Sequence, residues 1–423
     1  MRNQRAREKD FCGLMRLERF IGPLPGHREA RAFGVCGIGA ALLACGLSLY
    51  FGFRNEAFLG RPLGGDFVQF YAAARLLNQH EPTKIFDGPY FSAVQHEILP
   101  TMPATQWLIF GNPPCIPALF RPLALLPYKA AYCVWLAMSA GLYLAGLMIL
   151  LNGRWDATRR RTAYLLALST PMFTLETWVG GQVSIFGFFL FAVCVKCFER
   201  ENYFLAGLAL GLTAYKPSLL VIPAVMFLAG RFWRLLAGAA IGLSVVVAAC
   251  FAAAGVEGMR LWLLTLKVFQ YMATEDQSIL RRTKYVDLNS FLVVLFGLNA
   301  VTKVVAFVIV AAALLVLAWM WFRSRSASML LWAGTIAAML VLNVYVPVYD
   351  TIVLIPALLL VASNLTSEKR SREFQIWMLL FAVIPWLTQS AADFARLQLI
   401  TIVIAGFSFW TLQQPNVLTL RRR

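Results

Sequence analysis

The chain has 423 residues, of which 60% are hydrophobic and only 14% charged, with a mean hydropathy of +0.67. Soluble domains carry roughly 45–50% apolar and about 25% charged residues, so a water-soluble globule is excluded. The formal charge of +17 would suggest a nucleic-acid partner in a soluble chain. Here Lys and Arg fall in short segments between apolar runs, and no aromatic-interleaved basic surface lies outside them, so no nucleic-acid partner is expected. A positive-inside bias is the simpler cause.

A helix needs about 20 residues to cross a hydrocarbon core of about 30 Å. Residues 1–31 form a basic arm with Arg2, Arg5, Arg7, Lys9, Arg16, Arg19, Arg28 and Arg31, expected in the cytoplasm. The charged stretch and the apolar run that follows are both too long for a signal peptide, and no small-residue cleavage site is present, so 32–53 reads as a retained anchor. Residues 54–114 then form a first outer loop. Spans follow at 128–151, 162–179, 183–196, 203–215, 217–229 and 235–254, and a second long outer loop at 255–288. Further spans lie at 301–322, 328–346, 351–363, 374–389 and 395–412, with a tail at 413–423.

This pattern predicts an all-α polytopic protein of about 12 transmembrane helices, a single domain over 32–412. Both termini lie in the cytoplasm, and the protein sits in the cytoplasmic membrane. The legs 203–215 and 217–229 are each only about 20 Å long at 1.5 Å per residue, which leaves a thinned crossing or a re-entrant pair open. Arg154 with Arg159–Arg161, Arg231 with Arg234, Arg323 with Arg325, and Lys369 with Arg370 and Arg372 mark the inside. The same walk brings Asp66, Asn112, Gln182, Lys216, Arg281, Arg282 and Asp350 to one outer face.

Within the first outer loop, 64–77 (GGDFVQFYAAARLL) reads as a helix with Phe67, Phe70, Tyr71, Ala74 and Leu77 on one stripe, able to lie on lipid or on transmembrane helices. Asp66 precedes the stripe and faces water. It serves as a helix cap, with Gln69 completing a capping box, and the helix dipole would keep it ionised and available as a general base. Arg75 lies nine residues on, either snorkelling toward headgroups or contacting phosphate or sugar. The stretch EPTKIFDGPYF reads as a turn and a second short helix, with Asp87 packing or touching sugar.

Asn112-Pro113-Pro114 and the prolines up to Pro127 either line a cavity or simply enter the next helix. Gln182 follows two glycines at a turn, and Lys216 precedes Pro217 at another, as a phosphate partner or a snorkelling lysine. Arg281, Arg282 and Lys284 are a second candidate anion site or a solvated face. Asn343, Tyr345, Tyr349 and Asp350 (NVYVPVYD) form a polar, aromatic edge suited to a sugar ring.

No Walker A loop, GxSxG or HExxH occurs, and the histidines are His27, His80 and His96, so ATP-driven or zinc chemistry is not expected. No second acidic residue pairs with Asp66 at ligand spacing, so neither a metal nor another cofactor is expected. Of the eight cysteines, seven lie in the arm or in apolar spans, which implies no disulfide framework. Cys194 and Cys197 lack His partners for a metal.

The ordered set GGDFVQFYAAARLL, NPPCIPALFRPLALLPYKAAYCVW, GGQVSIF, LAGLALGLTAYKPSLL with GRFWRLLAGAA, and NVYVPVYD resembles bacterial glycosyltransferase family 87, the DUF2029 group that includes polyprenyl-phosphate-mannose-dependent α-1,2-mannosyltransferases. The resemblance covers about 64–350. It implies a GT-C fold with amphipathic outer helices over a cavity, a polyprenyl-phosphate sugar donor, a glycan or glycolipid acceptor, and membrane lipid around both. It also implies that Asp66, the acidic residue of the first outer loop, is the base. One base on one face would give inversion. The rival classes are a secondary transporter or flippase of lipid-linked sugars, which should show matching halves with discontinuous helices, and a polytopic scaffold.

Overall fold

The computed structural model describes residues 27–54, 63–103, 108–274, 282–324, 328–365, 368–414 and 417. They form helices in chain order: α1 His27–Phe53, α2 Phe67–Asn78, α3 Gly88–Ile98, α4 Cys115–Phe120, α5 Tyr128–Leu151 and α6 Ala157–Ser169. A π-helical segment, Met172–Val179, follows, then α7 Ser184–Glu199, α8 Tyr203–Leu212, α9 Pro217–Ala229, α10 Trp233–Thr274, α11 Leu288–Phe296 and α12 Ala300–Arg323. The chain ends with α13 Met329–Leu342, α14 Leu354–Asn364, α15 Glu368–Ala395 and α16 Leu399–Leu412.

Five of these helices are long and apolar enough to cross a membrane: 28–53, 128–151, 233–272, 300–323 and 369–395. Shorter apolar helices accompany them at Tyr203–Tyr215, Pro217–Ala229, Met329–Leu342, Val348–Asn364 and Leu399–Leu412. The protein is therefore membrane-embedded and helical; these ten reach the expected twelve only if Ala157–Ser169 with the π-helical Met172–Val179, and Ser184–Glu199, cross as well.

Backbone N–H groups freed at helix starts find side-chain acceptors close by. Asp156 accepts from the N–H groups of Thr158 and Arg159 at 2.8 and 2.9 Å, Asn299 from Thr302 at 2.9 Å, and Asp87 from Tyr90 at 3.3 Å. Each such cap is worth about 1 kcal/mol. Asp87 is thus occupied as the cap of α3, and Lys84 is 3.7 Å from its carboxylate.

Small residues set the tightest helix contact. Gly207 and Gly211 on α8 face Gly238 and Gly242 on α10, giving a GxxxG on both partners. A Cβ at Gly207 would fall 1.8 Å from the Leu235 carbonyl oxygen, and one at Gly238 would fall 2.1 Å from that of Phe204. Lipid tails are as apolar as the helices, so close packing of this kind, not water exclusion, drives association in a membrane.

Three expectations change. The segment read as a long second loop is helical through Thr274: α10 turns at Gly255 (φ 64°, ψ −171°) and runs on, with Trp262 donating to the Gly111 carbonyl at 3.2 Å. The span read as 162–179 breaks at Thr170–Pro171 and continues as a π-helix. Finally, α2 is no amphipathic surface helix. Val68, Gln69, Ala72, Ala73 and Leu76 are buried along with the expected stripe, because α3, α4 and the turn at 82–86 enclose it.

The two ends of the bundle differ in chemistry. At one end, Arg154 bridges helices, 2.8 Å from Glu199 and 2.5 Å from the Ser363 hydroxyl. Asp66, Gln182, Lys216 and Asp350 gather at the other.

Candidate functional site

Two Gly-Gly turns interlock at this second end. Gly64 and Gly65 have φ of 82° and 51°, and Gly181 has φ of 68°, all in the left-handed region that glycine tolerates best. Asp66 N–H donates to the Gly180 carbonyl at 3.1 Å. A methyl group on Gly181 would lie 2.5 Å from the Gly64 oxygen, and one on Gly65 would lie 3.0 Å from the Gly180 oxygen. Only chains without side chains can approach this closely.

Helix α5 fastens both turns. The Tyr128 hydroxyl donates to the Leu63 carbonyl, just before Gly64, and the Tyr132 hydroxyl to the Val179 carbonyl, just before Gly180, each at 2.7 Å. The two tyrosines are one helical turn apart, so a single rigid face fixes the turns relative to each other. Sequence reasoning missed both. Their signal was the repeated Gly-Gly-polar tripeptide, GGD and GGQ, which asks for a common anchor.

The outcome is a side-chain contact across the interlock: the Gln182 amide nitrogen donates to Asp66 Oδ2. Asp66 is half-buried and its side chain makes no cap bond to α2. The expected cap and capping box are absent, because Asp66 itself has helical φ and ψ of −74° and −8°, which carries the carboxylate away from the helix N–H groups. Gln69 is buried in the packing of α2 instead.

Beside this pair stands a second. Lys216 Nζ lies 2.6 Å from Asp350 Oδ1 and 4.7 Å from the centre of the Tyr349 ring. The Ser184 hydroxyl donates to the same Asp350 oxygen at 2.5 Å. Asp350 is completely buried, and its Oδ2 has no hydrogen-bond partner among the described residues. The lysine that the sequence offered as a phosphate partner thus also has a carboxylate partner within the fold.

Three half-buried tyrosines lie around the two pairs. The Tyr285 and Tyr345 hydroxyls are 2.8 Å apart. Burial raises the pKa of Tyr285 to about 12, and raises those of Tyr345 and Tyr349 well above the usual phenol value. The nearby Asp66 charge pushes all three in the same direction. All three therefore stay neutral at physiological pH and can donate hydrogen bonds.

The other sequence candidates lie elsewhere or in other roles. Arg75 is ion-paired with Glu97 at 2.8 Å on the surface formed by α2 and α3. Asn112 is half-buried, next to Gly111, whose missing side chain makes room for the Phe269 ring. Phe269 in turn packs on Tyr345 at 6.3 Å. Arg282 is not a solvated face: it is buried, with a guanidinium nitrogen donating to the Met272 carbonyl at 3.3 Å, and burial lowers its pKa. Arg281 lies outside the described residues. Asn343 donates to the Ser218 and Met339 carbonyls, each at 2.8 Å, and so serves the backbone.

A half-buried carboxylate oriented by an amide, with neutral phenols and a paired ammonium beside it at one end of a membrane bundle, is a constellation for acid–base work on a polar substrate. The family model of glycosyltransferase family 87 matches residues 110–347. The chain belongs to glycosyltransferase family 87. The matched stretch includes Asn112, Gln182, Lys216, Tyr285 and Tyr345, and it begins after Asp66 and ends before Tyr349 and Asp350. No curated protein and no solved structure matches the chain. As a family 87 protein it is a membrane glycosyltransferase, which implies a sugar donor and a glycan acceptor.

Proposed function

We propose that this family 87 glycosyltransferase moves a hexose, with mannose the first candidate, from a polyprenyl-phosphate sugar to a hydroxyl of a lipid-linked or cell-envelope glycan. Transfer occurs at the extracytoplasmic face with inversion at the anomeric carbon. The observation that carries this reading is the contact between Asp66 and Gln182 across the two glycine turns. It gives one carboxylate a fixed direction while leaving it half-exposed, as a base acting on an incoming hydroxyl requires.

No nucleotide-sugar pool exists outside the cytoplasmic membrane, so an activated sugar must arrive on a carrier whose tail stays in lipid. Breaking the bond from sugar to phosphate builds oxocarbenium character on the sugar and negative charge on the leaving phosphate, which nearby cations stabilise. Lys216 gives one N–H to Asp350 and keeps two for a phosphate oxygen. Asp66, on the acceptor side, takes the hydroxyl proton as the new bond forms, and no metal or cofactor is needed for these steps.

The test is an assay of membranes carrying the full chain with a panel of radiolabelled polyprenyl-phosphate sugars. One donor should support transfer, and Asp66→Asn should insert normally and lose about 10²–10⁴-fold of the rate. Full transfer by Asp66→Asn would remove Asp66 as the base. Label that crosses the membrane without forming a new glycosidic bond would favour a flippase.

A further inference from the structure

Two stretches far apart in sequence, 282–287 and 343–347, meet in a short antiparallel contact. Tyr285 is bridged to Pro347, and Val286 N–H donates to the Val346 carbonyl at 2.8 Å. In the reverse direction, Val346 N–H donates to Asp287 Oδ2 at 3.1 Å. The Asp287 carboxylate also accepts from the Ser290 N–H at 2.8 Å and the Ser290 hydroxyl at 3.0 Å. One fully buried carboxylate thus caps α11 and holds a second segment of chain at the same time.

The contact aligns two aromatic rings. Tyr285 and Tyr345 lie with ring centroids 4.5 Å apart and hydroxyls 2.8 Å apart. Both are half-buried, and both sense the Asp66 charge. A pyranose offers an apolar C–H face and a rim of hydroxyls, and a half-buried aromatic edge carrying paired phenols complements both parts. A buried carboxylate with three donors is also a more rigid clamp than backbone pairing alone, because hydrogen bonds to a charged acceptor are about twice as strong as neutral ones.

We infer that Asp287 is a positioning residue for sugar binding: it latches 282–287 onto 343–347 and so sets the Tyr285–Tyr345 pair as the wall for a pyranose next to Asp66. The inference rests on the glycosyltransferase reading above. The pyranose is the donor sugar or the terminal sugar of the acceptor, and the KM that changes says which. An Asn at 287 has one acceptor oxygen and would turn an NH2 toward one of the N–H donors, so it cannot serve Ser290 and Val346 together. A Ser at 287 is a good helix cap but too short to reach Val346.

The experiment uses the full chain in detergent. Amide hydrogen exchange is followed at Val286 and Val346, and transfer kinetics are followed with radiolabelled polyprenyl-phosphate mannose. In Asp287→Asn and Asp287→Ser, exchange at these two amides should rise roughly tenfold or more, while α5 and α13 keep their protection. In the same variants kcat/KM should fall, chiefly through KM. Adding Asp287→Ser to Tyr285→Ala/Tyr345→Ala should cost nothing further, because the latch acts only through the two rings and their hydroxyls.

Unchanged exchange at Val346 overturns the latch whether or not transfer is seen. A loss that multiplies fully on the tyrosine background overturns its link to the sugar. If the wild-type chain shows no transfer from this donor, the donor assignment fails, and the exchange measurement still decides the latch.

Discussion

The Lys216 ammonium sits 2.6 Å from an Asp350 oxygen that also takes the Ser184 hydroxyl, beneath the face of the Tyr349 ring. The three polar groups come from the starts of two helices and from a 3-10 turn 134 residues beyond the lysine. Together they neutralise a carboxylate that no solvent reaches. Lys216 thus carries two duties, keeping Asp350 compensated and presenting positive charge to a leaving phosphate.

Removing one partner of a buried pair costs more than removing both, because it strands a charge. Lys216→Met should therefore lower stability by about 3–5 kcal/mol, and Lys216→Met/Asp350→Asn should recover much of that loss without restoring transfer. Denaturant unfolding in micelles and the transfer assay, run on the same preparations, read the two effects separately. A double variant as unstable as the single one would show that the pair is not the source of the loss.

The interlocked turns tolerate no side chain at Gly181. Gly181→Ala combines a φ of 68° with a methyl 2.5 Å from the Gly64 oxygen, so Asp66 and Gln182 should separate. Transfer should fall at least tenfold while the chain still inserts, since strain of about 1–3 kcal/mol confined to a turn does not disturb the bundle. Gly153→Ala, at a φ of 75° but in open space, is the control and should leave transfer intact.

Tyr132→Phe removes a single 2.7 Å bond to the Val179 carbonyl. The stability cost should be about 1 kcal/mol, whereas kcat should fall further than that bond alone accounts for, because the second turn loses its anchor. Equal losses in stability and in activation free energy would argue against anchoring.

Asp287 gives a pH signature. Burial lifts its carboxyl to about 6 from an ordinary 3.8, with Arg282 and Tyr285 as the charged or titratable groups close to it. Between those two values the folded chain holds a proton that the unfolded chain has released. The contribution to stability is therefore present below about pH 4 and is lost as pH rises through 6, by about 3 kcal/mol in all. Unfolding curves at pH 4.5 and 7 should show the wild type losing stability relative to Asp287→Asn over that interval. A constant difference between the two would place the titration elsewhere.

The helical, membrane-embedded character and the turns at Gly64–Gly65 and Gly180–Gly181 were legible in the sequence, because hydropathy and glycine both act locally. The partners were not. Asp66 and Gln182 are 116 residues apart, and nothing in either turn says that the carboxylate would face its counterpart across the interlock and leave α2 uncapped. Local rules favoured the cap, and tertiary packing overrode them. Arg75 and Arg282 looked alike as cations near an interface. One turned out to be an exposed ion pair and the other a buried donor to the backbone, a difference set by how α10 runs on past Gly255. Tyr285 drew no attention because its stretch reads as a charged loop, and only the pairing with 345–347 gives it a role.

The glycine interlock also limits how this site can be altered or moved. Each turn is the mould for the other, so neither can gain a side chain, an insertion or a new direction unless its counterpart changes in step. Grafting the Asp66 segment alone into another scaffold would carry the carboxylate without its aim. A working transplant would need 63–66, 179–182 and the face of α5 that bears Tyr128 and Tyr132, taken as one unit.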